Sequence, residues 1–273
     1  MKKVKTLAVL NFLFFLIAFA MSQLSQLKLF NNNDMGQVSD KYANVFTPAG
    51  LTFAVWGVIY IALFAFTIFH LIQAWKKSVH TEANQVVQKI GTLFIWNNIA
   101  TALWVLAFMY EFLGISMFLM IVQLYSLARI HWILKIFQPQ KTASSKWFTQ
   151  VPLTLYFAWI SVATVANAAA FLVSVGWDGG PLTGADWTVV LIIIICFISS
   201  FMIWRRKNPY YGLIVMWAFY GIQLKRKQVD ALAYADVIQV VWFAFGFVAL
   251  LVLFRFFKNN GKPKEVPTQE IHA

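Results

Sequence analysis

Three groups of residues in this chain could do chemistry, and none has the make-up of a catalytic centre. The first lies between Tyr156 and Ala170. At helical spacing Tyr156, Trp159 or Ile160, Ala163, Asn167 and Ala170 share one face. That face offers two aromatic rings, a small-residue notch and a single amide. It suits a helix–helix seam, where small residues let backbones approach and an Asn bonds across. It suits the wall of a ligand pocket equally. The second group opens on Pro48, which fits the first turn of a helix because its missing N–H costs nothing there. Phe53, Trp56 and Tyr60 follow at i, i+3 and i+7, a ring stripe that either packs a core or lines a flat aromatic pocket beneath the polar 24–47 segment. The third is Asp236 with Gln239 one turn further on. An acid inside an apolar span is a functional candidate by default, here a coupling group for transport of a small amphipathic solute, unless Lys225, Arg226 or Lys227 neutralises it.

Other polar residues are weaker candidates. Glu111 falls in a tight turn between apolar runs, where solvation is expected. His70 and His131 lie near span ends, and a packed imidazole is the simpler reading than haem ligation. The lone Cys196 cannot form an intrachain disulfide. There is no His-Glu-x-x-His, no glycine-rich phosphate loop and no cysteine pair for a metal. Nothing supplies a nucleophile with its base, so enzyme activity and a metal cofactor are not expected.

The elements that must position these residues are membrane helices. Hydrophobic residues make up 60% of the 273, charged residues only 12%, and mean hydropathy is +0.68, far from the balance of a soluble domain. A bilayer core takes about 20 apolar residues per helix, and within lipid the backbone must satisfy itself. Eight spans are expected, near 6–23, 49–74, 90–110, 112–134, 151–173, 187–204, 208–224 and 231–255, so the fold class is an all-α polytopic bundle. The N-terminal basic residues and apolar run also resemble a cleavable signal peptide. With a cytoplasmic N-terminus, 17 of the 22 basic residues fall on the cytoplasmic side and five outside, as the positive-inside bias requires. Lys225-Arg226-Lys227 is the exception. A seven-span reading, with 208–224 re-entrant, returns the triplet inside but sends the basic tail out. The net charge of +12 needs no nucleic acid, because the basic residues sit at loop edges beside headgroups.

The two aromatic segments resemble the second and fifth helices of the translocator protein/tryptophan-rich sensory protein (TspO/MBR) family. Pro48, Phe53, Val55, Trp56 and Tyr60 match its Pro-Pro-x-Trp-x-Phe-x-x-Val-Trp-x-x-x-Tyr-like pattern, with Ala49 and Leu51 in place of the second proline and first tryptophan. Tyr156, Ala158, Trp159, Ala163, Thr164 and Asn167 match Tyr-x-Ala-Trp-x-x-x-Ala-Thr-x-x-Asn at unchanged spacing. Asn98, Trp104 and Phe108 are similar in kind to third-helix residues. The resemblance implies a five-helix domain over 1–175, extended by further helices over 176–257 and a polar cytoplasmic tail over 258–273. It implies a pocket for a flat hydrophobic small molecule, a porphyrin or sterol, built from Trp56, Tyr60, Ala163 and Asn167 with Phe53, Tyr156 and Trp159 beside them. A porphyrin or haem would be ligand rather than resident cofactor, the function sensing or transport in the cell membrane, and a homodimer is compatible with such a bundle.

Overall fold

Long runs of Leu, Ile, Phe and Ala, broken only at Pro, Gly and polar clusters, give helices and no strands among the described residues of the computed structural model, 1–137 and 142–259. The helices are α1 (Lys2–Gln26), α2 (Met35–Lys41), α3 (Val55–Lys76), α4 (Glu82–Ile90), α5 (Leu93–Met109), α6 (Leu113–Leu134), α7 (Ala143–Ser145), α8 (Val151–Ser174), α9 (Gly184–Ser200), α10 (Pro209–Asp230) and α11 (Ala235–Asn259). The eight longer ones coincide with the eight expected spans. Lys141, Lys262, Lys264 and the tail beyond 259 lie outside the described residues.

Among the described residues six helical stretches are long and apolar enough to cross a membrane, and α4 with α5 would make a seventh across a 59° bend. Gly91 makes that bend, at φ 56° and ψ −123°, a backbone conformation that a side chain would strain. The eighth, α10, fails on composition because tyrosines, Gln223 and the basic triplet lower its hydropathy. It is nonetheless a full helix of 22 residues rather than a re-entrant turn. It packs against α8 and α11, burying Tyr211, Val215, Ala218 and Phe219. A helix buried among helices need not be as apolar as one facing lipid.

Successive helices return to alternate ends of the bundle. At one end the 27–54 segment meets the α5–α6 turn and the α10–α11 turn. Asn31 Nδ2 donates to the Met109 carbonyl at 3.2 Å, and Lys225 Nζ pairs with Asp40 at 2.7 Å. At the other end His70, on α3, meets Ala83 and Thr149, Arg206 covers the Trp132 ring, and Lys5 covers Trp75. The basic triplet therefore sits at the end away from the N-terminus, and its tertiary partners explain why. Lys225 is consumed by Asp40, while Arg226 is buried over the Tyr234 ring, 5.0 Å away, with the Thr47 carbonyl at 3.5 Å. One apolar core runs unbroken from Phe15 on α1 to Val252 on α11.

Candidate functional site

Pro48 and a tight 3-10 turn, Gly50–Ala54, lead into α3. The turn aims Phe53 at Trp159 of α8, edge to face with centroids 6.2 Å apart. Trp56, one turn on, is the hub. It stacks on Tyr60 at 5.2 Å, meets Trp159 edge-on at 6.3 Å, and approaches Tyr156 at 5.9 Å and Trp104 at 6.5 Å. Trp104 in turn lies parallel to Phe108, 5.4 Å away. Offset and edge-on ring pairs of this kind add about 0.5–1.5 kcal/mol each beyond their buried area, which holds the walls of the site in place.

These rings enclose a cavity of ≈ 40 Å³ between α3, α5 and α8. Its polar corner is Asn167. The Oδ1 atom accepts from Trp104 Nε1 at 3.0 Å and from Ser116 Oγ at 2.7 Å, which joins α5, α6 and α8 at one point. Trp56 Nε1 and Trp159 Nε1 are both buried and have no protein partner. An unpaired buried donor costs about 1–3 kcal/mol, and both of these belong to residues that line the cavity. The cavity is far smaller than the roughly 300–1,000 Å³ of small-molecule sites, so as it stands it has no room for a flat ring system.

Of the residues predicted from sequence, Phe53, Trp56, Trp159, Ala163 and Asn167 line the cavity. Tyr60 and Tyr156 do not. Tyr60 turns toward α1, with Phe19 edge-on at 5.2 Å. Tyr156 packs behind the wall, its hydroxyl 2.7 Å from Thr101 Oγ1. Ala218 and Ile222 join the lining from α10, Met120 from α6, and Ser39 and Phe46 from the segment before α3. Sequence reasoning missed these because no periodic signal links segments so far apart in the chain.

The 27–54 segment is strapped over the cavity. The Ala49 N–H donates to the Gly221 carbonyl at 2.9 Å, and Trp217 Nε1 donates to the Thr52 carbonyl at 2.8 Å. A Cβ at Gly221 would collide with the Thr52 side chain, so only glycine lets the strap lie this close to α10. On the other flank Lys41 Nζ donates to both Glu111 oxygens, and the Tyr42 hydroxyl donates to Oε2 at 2.6 Å. Glu111 is therefore engaged rather than solvated. The Lys41 ammonium, and then the Tyr42 hydroxyl, hold its carboxyl below the usual carboxylate range, while Glu111 pushes Lys41 up.

A family profile described as TSPO-like protein matches residues 8–257. The chain belongs to the TSPO-like family. It is accordingly a polytopic membrane protein, and the match continues through α9, α10 and most of α11. No curated protein and no solved structure matches the chain. In this TSPO-like protein the remaining candidates lie apart from the cavity. Asp236 occupies the first turn of α11, not a position deeper in the span, and it and Gln239 are exposed. An acid there is favoured by the helix N-terminus. Lys225 and Arg226 face the strap and Tyr234 instead. His70 is buried between the Ala83 carbonyl and Thr149 Oγ1, and His131 Nδ1 meets the Leu127 carbonyl at 2.9 Å, the packed arrangement expected of structural imidazoles.

Proposed function

We propose that this protein is a membrane sensor or carrier that binds a flat hydrophobic ligand, of porphyrin or sterol shape, in the aromatic cavity between α3 and α8. The observation that carries the reading is a cavity walled by the rings of Phe53, Trp56, Trp104, Phe108 and Trp159, with Asn167 at its polar corner; the indole N–H groups of Trp56 and Trp159 are buried and unpartnered. Ring walls give a flat guest stacking area, and the two donors give it orientation through any acceptor on its rim. Admission requires the strap to lift and the rings to part, because the closed cavity has too little room for such a molecule.

The membrane is the cell membrane with the N-terminus cytoplasmic, a reading supported by the 17 basic residues assigned to that end. Binding rather than catalysis is the activity. Proton-coupled transport through Asp236 and Gln239 is less well supported, since both are exposed on the outer surface of α11.

The test is quenching of tryptophan fluorescence by protoporphyrin IX in detergent, comparing the parent with Trp56→Ala and Asn167→Ala. Saturable quenching that is lost in both variants supports the proposal. Equal, non-saturating quenching in all three means that the porphyrin merely partitions into micelles, and the proposal falls. Asp236→Asn is expected to leave the binding curve unchanged.

A further inference from the structure

A second cavity lies between α8 and α9, at the end of the bundle where the two helices are joined. Its volume is ≈ 440 Å³, roughly eleven times that of the central one and within the range of about 300–1,000 Å³ typical of small-molecule sites. One wall is the face of α8 carrying Val165, Ala168, Ala169 and Leu172, a spacing of i, i+3, i+4 and i+7. The opposite face of the same helix, with Ala163, Ala166, Asn167 and Ala170, lines the central cavity. Trp187 and Leu191 of α9 form the second wall, and Phe46 borders both cavities.

The polar groups in this lining are already satisfied from within. Thr164 Oγ1 donates to the Ile160 carbonyl at 2.7 Å, Thr188 Oγ1 to the Gly184 carbonyl at 2.8 Å, and Trp187 Nε1 to the Gly179 carbonyl at 2.8 Å. The interior therefore asks no hydrogen bond of a guest, which marks the guest's body as hydrocarbon. The mouth is different. Trp177 and Trp187, with centroids 5.4 Å apart, form the kind of indole pair that sits at a headgroup boundary. Asp178 stands beside them, exposed, and none of the lining residues is basic, so nothing in the lining favours an anionic head.

We propose that the α8–α9 cavity is a second binding site, for an amphipath with a single apolar body and an uncharged or cationic head. The proposal stands whether or not the central cavity binds a flat ligand.

The probe is all-trans-retinol, whose emission is sensitised by nearby tryptophans, with retinoic acid as its anionic counterpart and the full chain in nanodiscs. Retinol should bind saturably. Ala169→Trp, which fills the cavity from α8, should weaken it roughly tenfold or more, as overpacking does, while leaving the melting temperature and protoporphyrin quenching near the parent's. Leu191→Trp, filling from α9, serves if the first variant does not fold. Retinoic acid should bind more weakly than retinol, and Asp178→Asn should narrow the gap. Equal, linear uptake of retinol by parent and filled variants overturns the site. Equal affinity for retinol and retinoic acid overturns the assignment of the head. Displacement of retinol by brominated phosphatidylcholine overturns the amphipath in favour of a bilayer lipid.

Discussion

Gly221→Ala should unstrap the cavity. The added methyl group collides with Thr52, whose side chain is buried and cannot swing aside. The clash exists only while the strap is docked, so it penalises that state by about 1–3 kcal/mol of overpacking and raises the undocked population about 5- to 150-fold. Lifting exposes the Ala49–Gly221 and Trp217–Thr52 hydrogen bonds, in variant and parent alike. Ser39 of α2 borders the cavity, so Ser39→Cys in a Cys196→Ser background reports on lifting through its labelling rate with a water-soluble maleimide. Labelling should accelerate in Gly221→Ala and partly recover when Thr52→Ala is added, a non-additivity expected of touching residues. Gly57→Ala, where a Cβ meets nothing within 4 Å, should leave the labelling rate at the parent's. If Gly221→Ala labels and melts like the parent, the close approach at Gly221 does not hold the strap, and the reasoning fails.

Asn167→Ala removes the acceptor of both Trp104 Nε1 and Ser116 Oγ and should cost about 2–4 kcal/mol in thermal or denaturant unfolding. The Lys41–Glu111 tether depends on pH with a defined sign. Glu111 is depressed, so its contribution is complete above the ordinary carboxylate value and is lost as pH falls through the lower folded value. Lys41 is raised, so its contribution is complete below the ordinary lysine value and is lost as pH rises through the higher folded value. Maleimide labelling at Ser39→Cys, divided at each pH by the rate of a fully exposed cysteine to remove the loss of thiolate in acid, should therefore be slowest in the neutral range and accelerate in acid, and Glu111→Gln should flatten the acid limb. Leu51 is 59% exposed, so Leu51→Trp should shift stability by no more than about 0.5 kcal/mol and leave porphyrin quenching unchanged; altered quenching would place residue 51 in the site.

Most of the long helices were legible because hydropathy decides which stretches can enter a bilayer; α10, too polar by that measure, was legible only as the 17-residue run from Asn208 to Leu224. Asn167 and Trp159 were legible too, since helical spacing put them on one face of α8. Tyr60 shows where spacing stops helping. It stacks on Trp56 as an i+4 neighbour should, yet the same helix rotation turns its ring to α1. Phe53 reaches the site through a 3-10 turn, not through the continuous α-helical stripe that its spacing suggests. The basic triplet misleads a count of charges because Lys225 and Arg226 serve tertiary bonds to the strap. Glu111 reads as a solvated turn residue until Lys41, 70 positions away, folds onto it. Pairings over such distances leave no trace in local sequence.

The elbow at Gly91 gives the bilayer itself a hold on the central cavity. A straight helix of 17 residues, as in α5, rises about 25 Å, less than the roughly 30 Å of hydrocarbon it stands in. That shortfall has to be met by thinning the lipid around it or by changing the angle at the elbow. Trp104 and Phe108 ride on this short helix, so membrane thickness bears directly on the ring that holds Asn167.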